Sequence, residues 1–211
     1  MVDSKTFWDK MAPKYAASQM RSVEDYEHTL ARTLSYLTPD MRVLEMGCGT
    51  GTTALRLAPH VQAFVGTDQS SEMIRIAREK AEEAGIGNAE FRVLGAAESA
   101  QLDEGFDVVM GYNLFHLVPD VEAVIDDVYK RLKPGGLLIS KTPCLADKAF
   151  GWKRFLVKAI LPLMKLIGKA PDVRLWRLEH VDRLIADAGF ETVEAGNFPA
   201  ISRYIVARKT A

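Results

Sequence analysis

Residues 43–51 read Val43-Leu44-Glu45-Met46-Gly47-Cys48-Gly49-Thr50-Gly51. The apolar run at the start is typical of a β-strand, and the alternating glycines predict a tight turn that opens a helix. Glycines in this arrangement let a ligand approach the main chain closely, and the first turn of the helix behind them presents free N–H groups. The stretch predicts a ligand-binding strand–loop–helix unit, with a tight turn that binds nothing as the alternative.

An acidic residue, Asp68, ends the next predicted strand, where a carboxylate can accept hydrogen bonds from a ribose diol. The loop reads Gly-x-Gly-x-Gly, whereas a dinucleotide loop reads Gly-x-Gly-x-x-Gly. Glu45, two residues ahead of the loop, would repel a pyrophosphate and suits a ligand that carries an ammonium group. A nicotinamide-dependent oxidoreductase therefore stays as an alternative that the spacing disfavours.

Strand-like and helical stretches alternate along most of the chain. The predicted strands 42–44, 63–65, 91–94, 106–110 and 137–139 are separated by the helical stretches 53–58, 70–84 and 121–132. Two helices precede them, with Ser4 and Ser22 as N-caps, and a helix at 179–188 with strands at 190–194 and 204–207 follows. This order predicts an α/β fold, doubly wound, with helices on both faces of a mostly parallel sheet.

The composition is that of an ordinary globular protein of 211 residues, with 48% hydrophobic and 26% charged residues, which excludes a disordered chain, a fibrous repeat and a disulfide scaffold. The net charge of −1 gives no overall attraction to nucleic acid. Cys48 and Cys144 lack zinc or Cys-x-x-Cys spacing, so we expect no metal site and a reduced, cytoplasmic protein. The polar N-terminus predicts no signal peptide.

In five places, and in the same order, the chain resembles the class I S-adenosylmethionine-dependent methyltransferases, in particular their small-molecule members. The resemblance covers residues 40–142 closely and the late strands more loosely. It implies a Rossmann-like fold with seven strands and S-adenosyl-L-methionine as cofactor. The five matching segments are the glycine loop, Asp68-Gln69-Ser70-Ser71-Glu72-Met73, Phe106-Asp107-Val108-Val109, Asn113-Leu114-Phe115-His116-Leu117 and Leu132-Lys133-Pro134-Gly135-Gly136.

The resemblance also implies a cofactor role for individual residues. Glu45 would organise the methionine end through water or the ammonium group, Asp68 would hold the ribose, and Asn113 would lie beside the sulfonium. Ala96 stands where the family usually has an acid, so the bond to the adenine amine is missing or comes from the backbone or Glu98. The remaining implied cofactor-binding residues are Gly47, Cys48, Gly49, Thr50, Gly51, Gln69, Met73 and Ala97.

Methyl transfer from a sulfonium is an in-line displacement that needs alignment and a dry site, so no catalytic triad or metal is required. His116 follows the fourth predicted strand and is the candidate general base, with a capping or buried histidine as the alternative. Tyr15 resembles a tyrosine that closes over the cofactor carboxylate in the family, and it is a candidate both for cofactor binding and, with His116, for catalysis; a core aromatic is the alternative. Cys48 is interpreted as a small residue beneath the loop rather than a nucleophile.

Residues 148–169 form a basic and apolar insert without an acidic residue. Arg154, Lys158, Lys165 and Lys169 share one helical face, bulky apolar residues lie opposite, and Pro162 is expected to kink or split the helix. Three alternatives are a lid over the acceptor, a dimer contact and an interfacial membrane helix. The first and third favour an apolar acceptor: a lipid, a quinone precursor or a hydrophobic metabolite.

We therefore expect one domain over 1–211, with an N-terminal helical cover at 1–39, a cofactor-binding core at 40–145, a helical insert at 146–176 and a C-terminal helix with strands at 177–211. The predicted activity is methyl transfer to a small, apolar acceptor. A non-catalytic, membrane-associated module that holds the cofactor is the second alternative. A monomer or homodimer in the cytoplasm or at the membrane periphery, without a nucleic-acid partner, fits this prediction.

Overall fold

The computed structural model describes residues 3–18 and 22–210, and these form one seven-stranded sheet in the order β3-β2-β1-β4-β5-β7-β6. Strands β1 to β5 are parallel to their neighbours, and β7 is antiparallel to both β5 and β6. The predicted doubly wound, mostly parallel sheet is confirmed. The strands are β1 Arg42–Met46, β2 Ala63–Asp68, β3 Ala89–Val93, β4 Phe106–Tyr112, β5 Leu132–Pro143, β6 Phe190–Asn197 and β7 Ser202–Lys209.

Helices cover both faces of the sheet and also precede it. Their bounds are α1 Ser4–Ala17, α2 Val23–Leu34, α3 Thr52–Leu57, α4 Ser71–Glu83, α5 Val121–Arg131, α6 Lys153–Leu166 and α7 Leu178–Asp187. Short 3₁₀ turns lie at Ala58–His60, Ala96–Gln101, Phe115–Leu117 and Lys148–Phe150. No helix of the described residues combines the length and the apolar character that crossing a bilayer requires.

Two apolar cores lie on opposite faces of the sheet because successive strand residues point to opposite sides. Leu44 and Leu138 pack with buried residues of α5 and α7. Val43 and Ile139 pack with buried residues of α2, α3 and α4. Both faces being covered explains why the central strands read as nearly continuous apolar runs.

The carboxyl ends of the parallel strands meet at one edge of the sheet. The chain order reverses between the neighbouring strands β1 and β4, which is where ligands bind in open α/β sheets. The loop after β1, Asp68 at the end of β2 and Asn113 after β4 all lie at this edge.

Three local predictions differ from the structure. The N-cap of α1 is Asp3 rather than Ser4, because the Asp3 carboxylate accepts a hydrogen bond from the Thr6 N–H at 3.1 Å. Strand β5 begins at Leu132, earlier than expected. Helix α6 does not split at Pro162. Proline has no N–H to donate to the carbonyl one turn earlier, but the helix is exposed, so water can donate a hydrogen bond to that carbonyl instead.

The division of the chain into a single domain with four parts stays a prediction. Residues 1–2, 19–21 and 211, which that division includes, lie outside the described residues.

Candidate functional site

The glycine loop leaves β1 and is fixed on the end of β2. Gly47, Gly49 and Gly51 have φ angles of +68°, +55° and +74°, in the left-handed region that favours glycine. The Cys48 N–H donates to the Thr67 carbonyl at 2.9 Å, and the Gly51 N–H donates to the Cys48 carbonyl at 3.0 Å. These bonds hold the loop in one conformation before the first residue of α3.

The three glycines have different neighbours. A Cβ atom at Gly47 would lie 2.8 Å from Leu114 Cδ1, and one at Gly51 would lie 2.9 Å from Ala77 Cβ. Gly51 therefore allows the loop to pack on α4. A Cβ atom at Gly49 would meet only Tyr15 Cε1, at 3.7 Å. Gly49 is the position in the loop where the main chain is open to a ligand.

Glu45 carries a buried carboxyl group beneath this loop. The residue is 3% exposed, and its Oε2 has no hydrogen-bond partner among the described residues. Burial, and to a smaller extent the charge of Asp68, raises the pKa of Glu45 to about 8. A carboxyl group in this state is protonated at neutral pH unless a cation binds next to it.

Asp68 is held by the loop and by the start of α4. Its Oδ2 accepts a hydrogen bond from the Gly49 N–H at 3.0 Å, and its Oδ1 accepts one from the Ser70 N–H at 2.9 Å. Burial raises the pKa of Asp68, and these two hydrogen bonds oppose that effect. Each oxygen keeps one lone pair free, so the carboxylate can accept two more hydrogen bonds.

Helix α1 places Tyr15 over the loop. The ring lies above Gly49, and burial together with the charges of Glu45 and Asp68 raises the pKa of the Tyr15 hydroxyl. The Tyr15 side chain is still 49% exposed, so it lies at the rim rather than in the core.

Asp9 fixes α1 to α4. Its Oδ1 accepts hydrogen bonds from the Ser70 hydroxyl at 2.6 Å and from the Glu72 N–H at 3.2 Å. Gln69 adds a second tie, since its Nε2 donates to the Ser4 hydroxyl at 2.8 Å. Sequence reasoning missed Asp9, because its partners are more than 60 residues away and nothing in its local pattern indicates them.

Three further predicted residues point away from the open face of the loop. The Thr50 hydroxyl accepts a hydrogen bond from Lys80 Nζ at 3.2 Å. Cys48 is buried, with its Sγ 3.0 Å from where a Cβ at Gly66 would stand, and burial raises the pKa of its thiol. Met73 is buried in the first turn of α4.

The predicted adenine edge and sulfonium neighbour follow β3 and β4. Ala96, Ala97 and Glu98 start the 3₁₀ turn after β3, and the Glu98 carboxylate accepts a hydrogen bond from the Gly95 N–H at 2.9 Å. Asn113 has a φ of +51°, and its N–H donates to the Lys141 carbonyl at 2.8 Å. These segments lie along the same sheet edge as the loop.

His116 lies in the 3₁₀ turn after β4. Its Nδ1 is buried with no hydrogen-bond partner among the described residues, and burial lowers the pKa of His116 to about 4. The imidazole is therefore neutral at physiological pH. The His116 carbonyl accepts a hydrogen bond from the Arg174 N–H at 2.7 Å, which ties the end of the insert to the β4 loop.

The family model described as a methyltransferase domain matches residues 37–173. The chain belongs to this family. The Rhizobium etli ubiquinone biosynthesis O-methyltransferase is 30% identical over 154 residues, covering 73% of this chain and 61% of that protein. The Cereibacter sphaeroides phosphatidylethanolamine N-methyltransferase is 34% identical over 154 residues, covering 72% and 71%. The chain thus spans less than two thirds of the length of the first of these relatives.

The fold of this methyltransferase domain also occurs in a geranyl diphosphate methyltransferase solved in complex with GPP and sinefungin. That structure is 15% identical, has a TM-score of 0.72 and covers 87% of this chain and 78% of its own. The resemblance to class I methyltransferases is confirmed by the family match and the fold.

The described residues fit S-adenosylmethionine. The Oε2 of Glu45 has no hydrogen-bond partner among the described residues and could receive a cation such as the ligand's ammonium group. The free lone pairs of Asp68 match a ribose diol. Asp68 accepts a hydrogen bond from the main chain at Gly49, and Glu45 lies two residues ahead of the loop in sequence.

Proposed function

We propose that this methyltransferase domain transfers the methyl group of S-adenosylmethionine to a small, apolar acceptor. The observation that carries the proposal is the open main chain at Gly49, flanked by the unpartnered carboxyl group of Glu45 and the half-satisfied carboxylate of Asp68. The family match supports it.

The cofactor supplies a methyl group that is already activated on a sulfonium. Glu45 would receive the ammonium group, the Gly47–Gly51 backbone and Asp68 would hold the methionine and ribose parts, and Tyr15 would cover them. Asn113 would lie next to the sulfonium end, and Met73, Gln69 and the segment 96–98 would contact the adenine. The chain's own contribution is alignment of the two reactants and exclusion of water.

His116 takes the acceptor's proton in this proposal. The imidazole is neutral at physiological pH, so one of its ring nitrogens can accept a hydrogen bond from an acceptor hydroxyl. A general base of this kind contributes about 10²–10⁴-fold. We expect His116→Asn to lower kcat by at least about tenfold at pH 7 while leaving the dissociation constant of S-adenosylhomocysteine within about twofold. A kcat within twofold of the wild type would remove His116 from the reaction.

The names of the two relatives support an apolar acceptor, since one acts in ubiquinone biosynthesis and the other on phosphatidylethanolamine. The exposed apolar helix α6, which follows β5 at the carboxyl edge of the sheet, is a second reason. Both observations favour a substrate with a hydrocarbon tail over a freely diffusing polar metabolite.

The test is transfer of labelled methyl from S-adenosylmethionine to three acceptors: a prenylated catechol, phosphatidylethanolamine in mixed micelles, and a catechol without a tail. We expect kcat/KM for at least one tailed acceptor to exceed that for the tail-less catechol by at least about tenfold, as several buried methylenes would give. A preference for the tail-less acceptor would overturn the apolar acceptor. Cofactor binding without transfer to any acceptor in a wider panel would favour the non-catalytic alternative.

A further inference from the structure

Helix α6 and its flanks expose an apolar surface that the rest of the described chain does not cover. Seven of the eleven large apolar side chains that are exposed among the described residues lie here, and they are 43–77% exposed. We call this set the α6 surface; its members are Trp152, Phe155, Leu156, Ile160, Leu163, Leu166 and Ile167. Such a concentration of exposed apolar residues marks an interaction site.

The members of the α6 surface share one side of the helix. At the ordinary helical step of 100° per residue they fall within an arc of roughly 140°. The opposite side carries Val157, Leu161 and Met164, which are partly buried. The side with Val157, Leu161 and Met164 is therefore the more buried one, and the more strongly apolar side of the helix faces outward.

Positive charge surrounds the α6 surface. Residues 148–171 contain six of the chain's 27 Lys and Arg and none of its 28 Asp and Glu. The Arg154 guanidinium lies 4.7 Å from the centre of the Phe155 ring, and Lys165 pairs with Asp172 just beyond the segment. The remaining basic residues of the segment are Lys148, Lys153, Lys158 and Lys169.

This positive charge helps to decide which kind of partner binds the α6 surface. A second copy of the chain would bring the same basic segment next to this one, which disfavours a symmetric contact through α6. An anionic bilayer offers an apolar interior, a headgroup layer suited to Trp152, and negative charge for the lysines. An anionic bilayer therefore matches both the exposed apolar side chains and the positive charge of residues 148–171.

We propose that the α6 surface docks on anionic phospholipid bilayers. The apolar side chains enter the boundary between headgroups and acyl chains, and the lysines pair with lipid phosphates. Because β5 leads into the insert, docking brings the carboxyl edge of the sheet close to the bilayer, where an apolar acceptor resides. The proposal goes beyond methyl transfer and does not require it.

The experiment is co-sedimentation of the full chain with vesicles of phosphatidylcholine alone and with added phosphatidylglycerol. We expect binding that needs the anionic lipid and weakens as salt rises. Leu163→Glu should weaken binding by at least about tenfold, since it removes an apolar group that the bilayer would bury and adds a negative charge. Val193→Glu is the matched control, an exposed apolar residue on β6, and should stay within twofold.

A second pair of variants tests the charge. Lys158→Glu should weaken binding to the anionic vesicles by at least about fivefold, as expected for a cation near the surface. Lys130→Glu makes the same change on α5 and should have no effect. Circular dichroism shows whether each variant is folded, and a separate calorimetric titration with S-adenosylmethionine reports on cofactor binding, so failure to bind vesicles is distinguishable from failure of the proposed function.

Three outcomes overturn the proposal. One is sedimentation that does not depend on phosphatidylglycerol. Another is equal loss in Leu163→Glu and Val193→Glu. The third is a wild-type dimer that Leu163→Glu converts to a monomer without any vesicle binding, which would assign the α6 surface to a second copy of the chain.

Discussion

The side chain of Glu45 is a buried carboxyl group whose Oε2 has no hydrogen-bond partner among the described residues. Its ordinary pKa is 4.5, and in the folded chain the pKa is about 8 because burial disfavours the ionised form. The folded state therefore holds a proton that the unfolded chain releases above pH 4.5. A cationic ligand that reached the carboxyl group would reverse this by stabilising the ionised form.

The first prediction concerns the pH dependence of stability. The unfolded chain loses the Glu45 proton near pH 4.5 and the folded chain near pH 8, so this residue makes the free energy of unfolding fall as pH rises across that window. We expect a decrease of a few kcal/mol between pH 5 and pH 8 in urea titrations without ligand. Glu45→Gln removes the titrating group and should show a flatter profile. Parallel profiles for the two proteins would contradict the buried, uncompensated carboxyl group.

Substitutions at two glycines of the loop should have different effects, one mainly on stability and the other mainly on cofactor binding. Gly51→Ala should lower the free energy of unfolding by about 1–3 kcal/mol, because the new Cβ meets Ala77 at 2.9 Å at a left-handed φ. Gly49→Ala adds a Cβ over the open main chain and should weaken S-adenosylmethionine binding more than Gly51→Ala does. Urea denaturation and calorimetric titration measure the two effects. The reverse order in binding would move the ligand away from Gly49.

At the scale of elements, α1 is held on α4 by few bonds. Asp9 reaches the first turn of α4, where a carboxylate also suits the helix dipole, and Tyr15 lies six residues further along α1. The position of Tyr15 over Gly49 thus depends on a contact between α1 and the start of α4.

The prediction for this element is that Asp9→Ala weakens cofactor binding through α1. The variant should raise the dissociation constant of S-adenosylmethionine severalfold and lower the free energy of unfolding by about 1 kcal/mol, the ordinary value of a helix cap. Asp103→Ala, at an exposed residue distant in sequence from α1 and α4, is the control. Unchanged affinity in Asp9→Ala would mean that α1 is no part of the site.

Some elements of this structure could be predicted from the sequence, and others could not. The β1 loop and Asp68 could be predicted, because glycine spacing and strand–helix alternation are local signals. Asp3, not Ser4, is the N-cap of α1. Both neighbouring residues can cap a helix, and only the packing of the folded chain determines which of them does so. The Asp9 contacts and the outward face of α6 could not be predicted, since they depend on packing between distant segments. A basic apolar pattern alone is compatible with a lid, a dimer contact or a membrane helix.

At the scale of the whole molecule, the sheet brings separate segments to one edge. Glu45, Gly49, Asp68 and Asn113 come from the ends of β1, β2 and β4, and Tyr15 comes from a helix outside the sheet. The central claim is that these groups form one site for S-adenosylmethionine. That claim depends on the ionisation of Glu45 being linked to ligand binding.

Calorimetric titration of S-adenosylmethionine at pH 7, in two buffers of different ionisation enthalpy, tests this claim most directly. We expect saturable binding with release of about one proton, because the ligand's ammonium group ionises Glu45. Glu45→Gln should abolish the proton release, and Asp68→Ala should weaken binding at least tenfold. No heat at millimolar ligand, or the same affinity in Asp68→Ala and the wild type, would contradict the account.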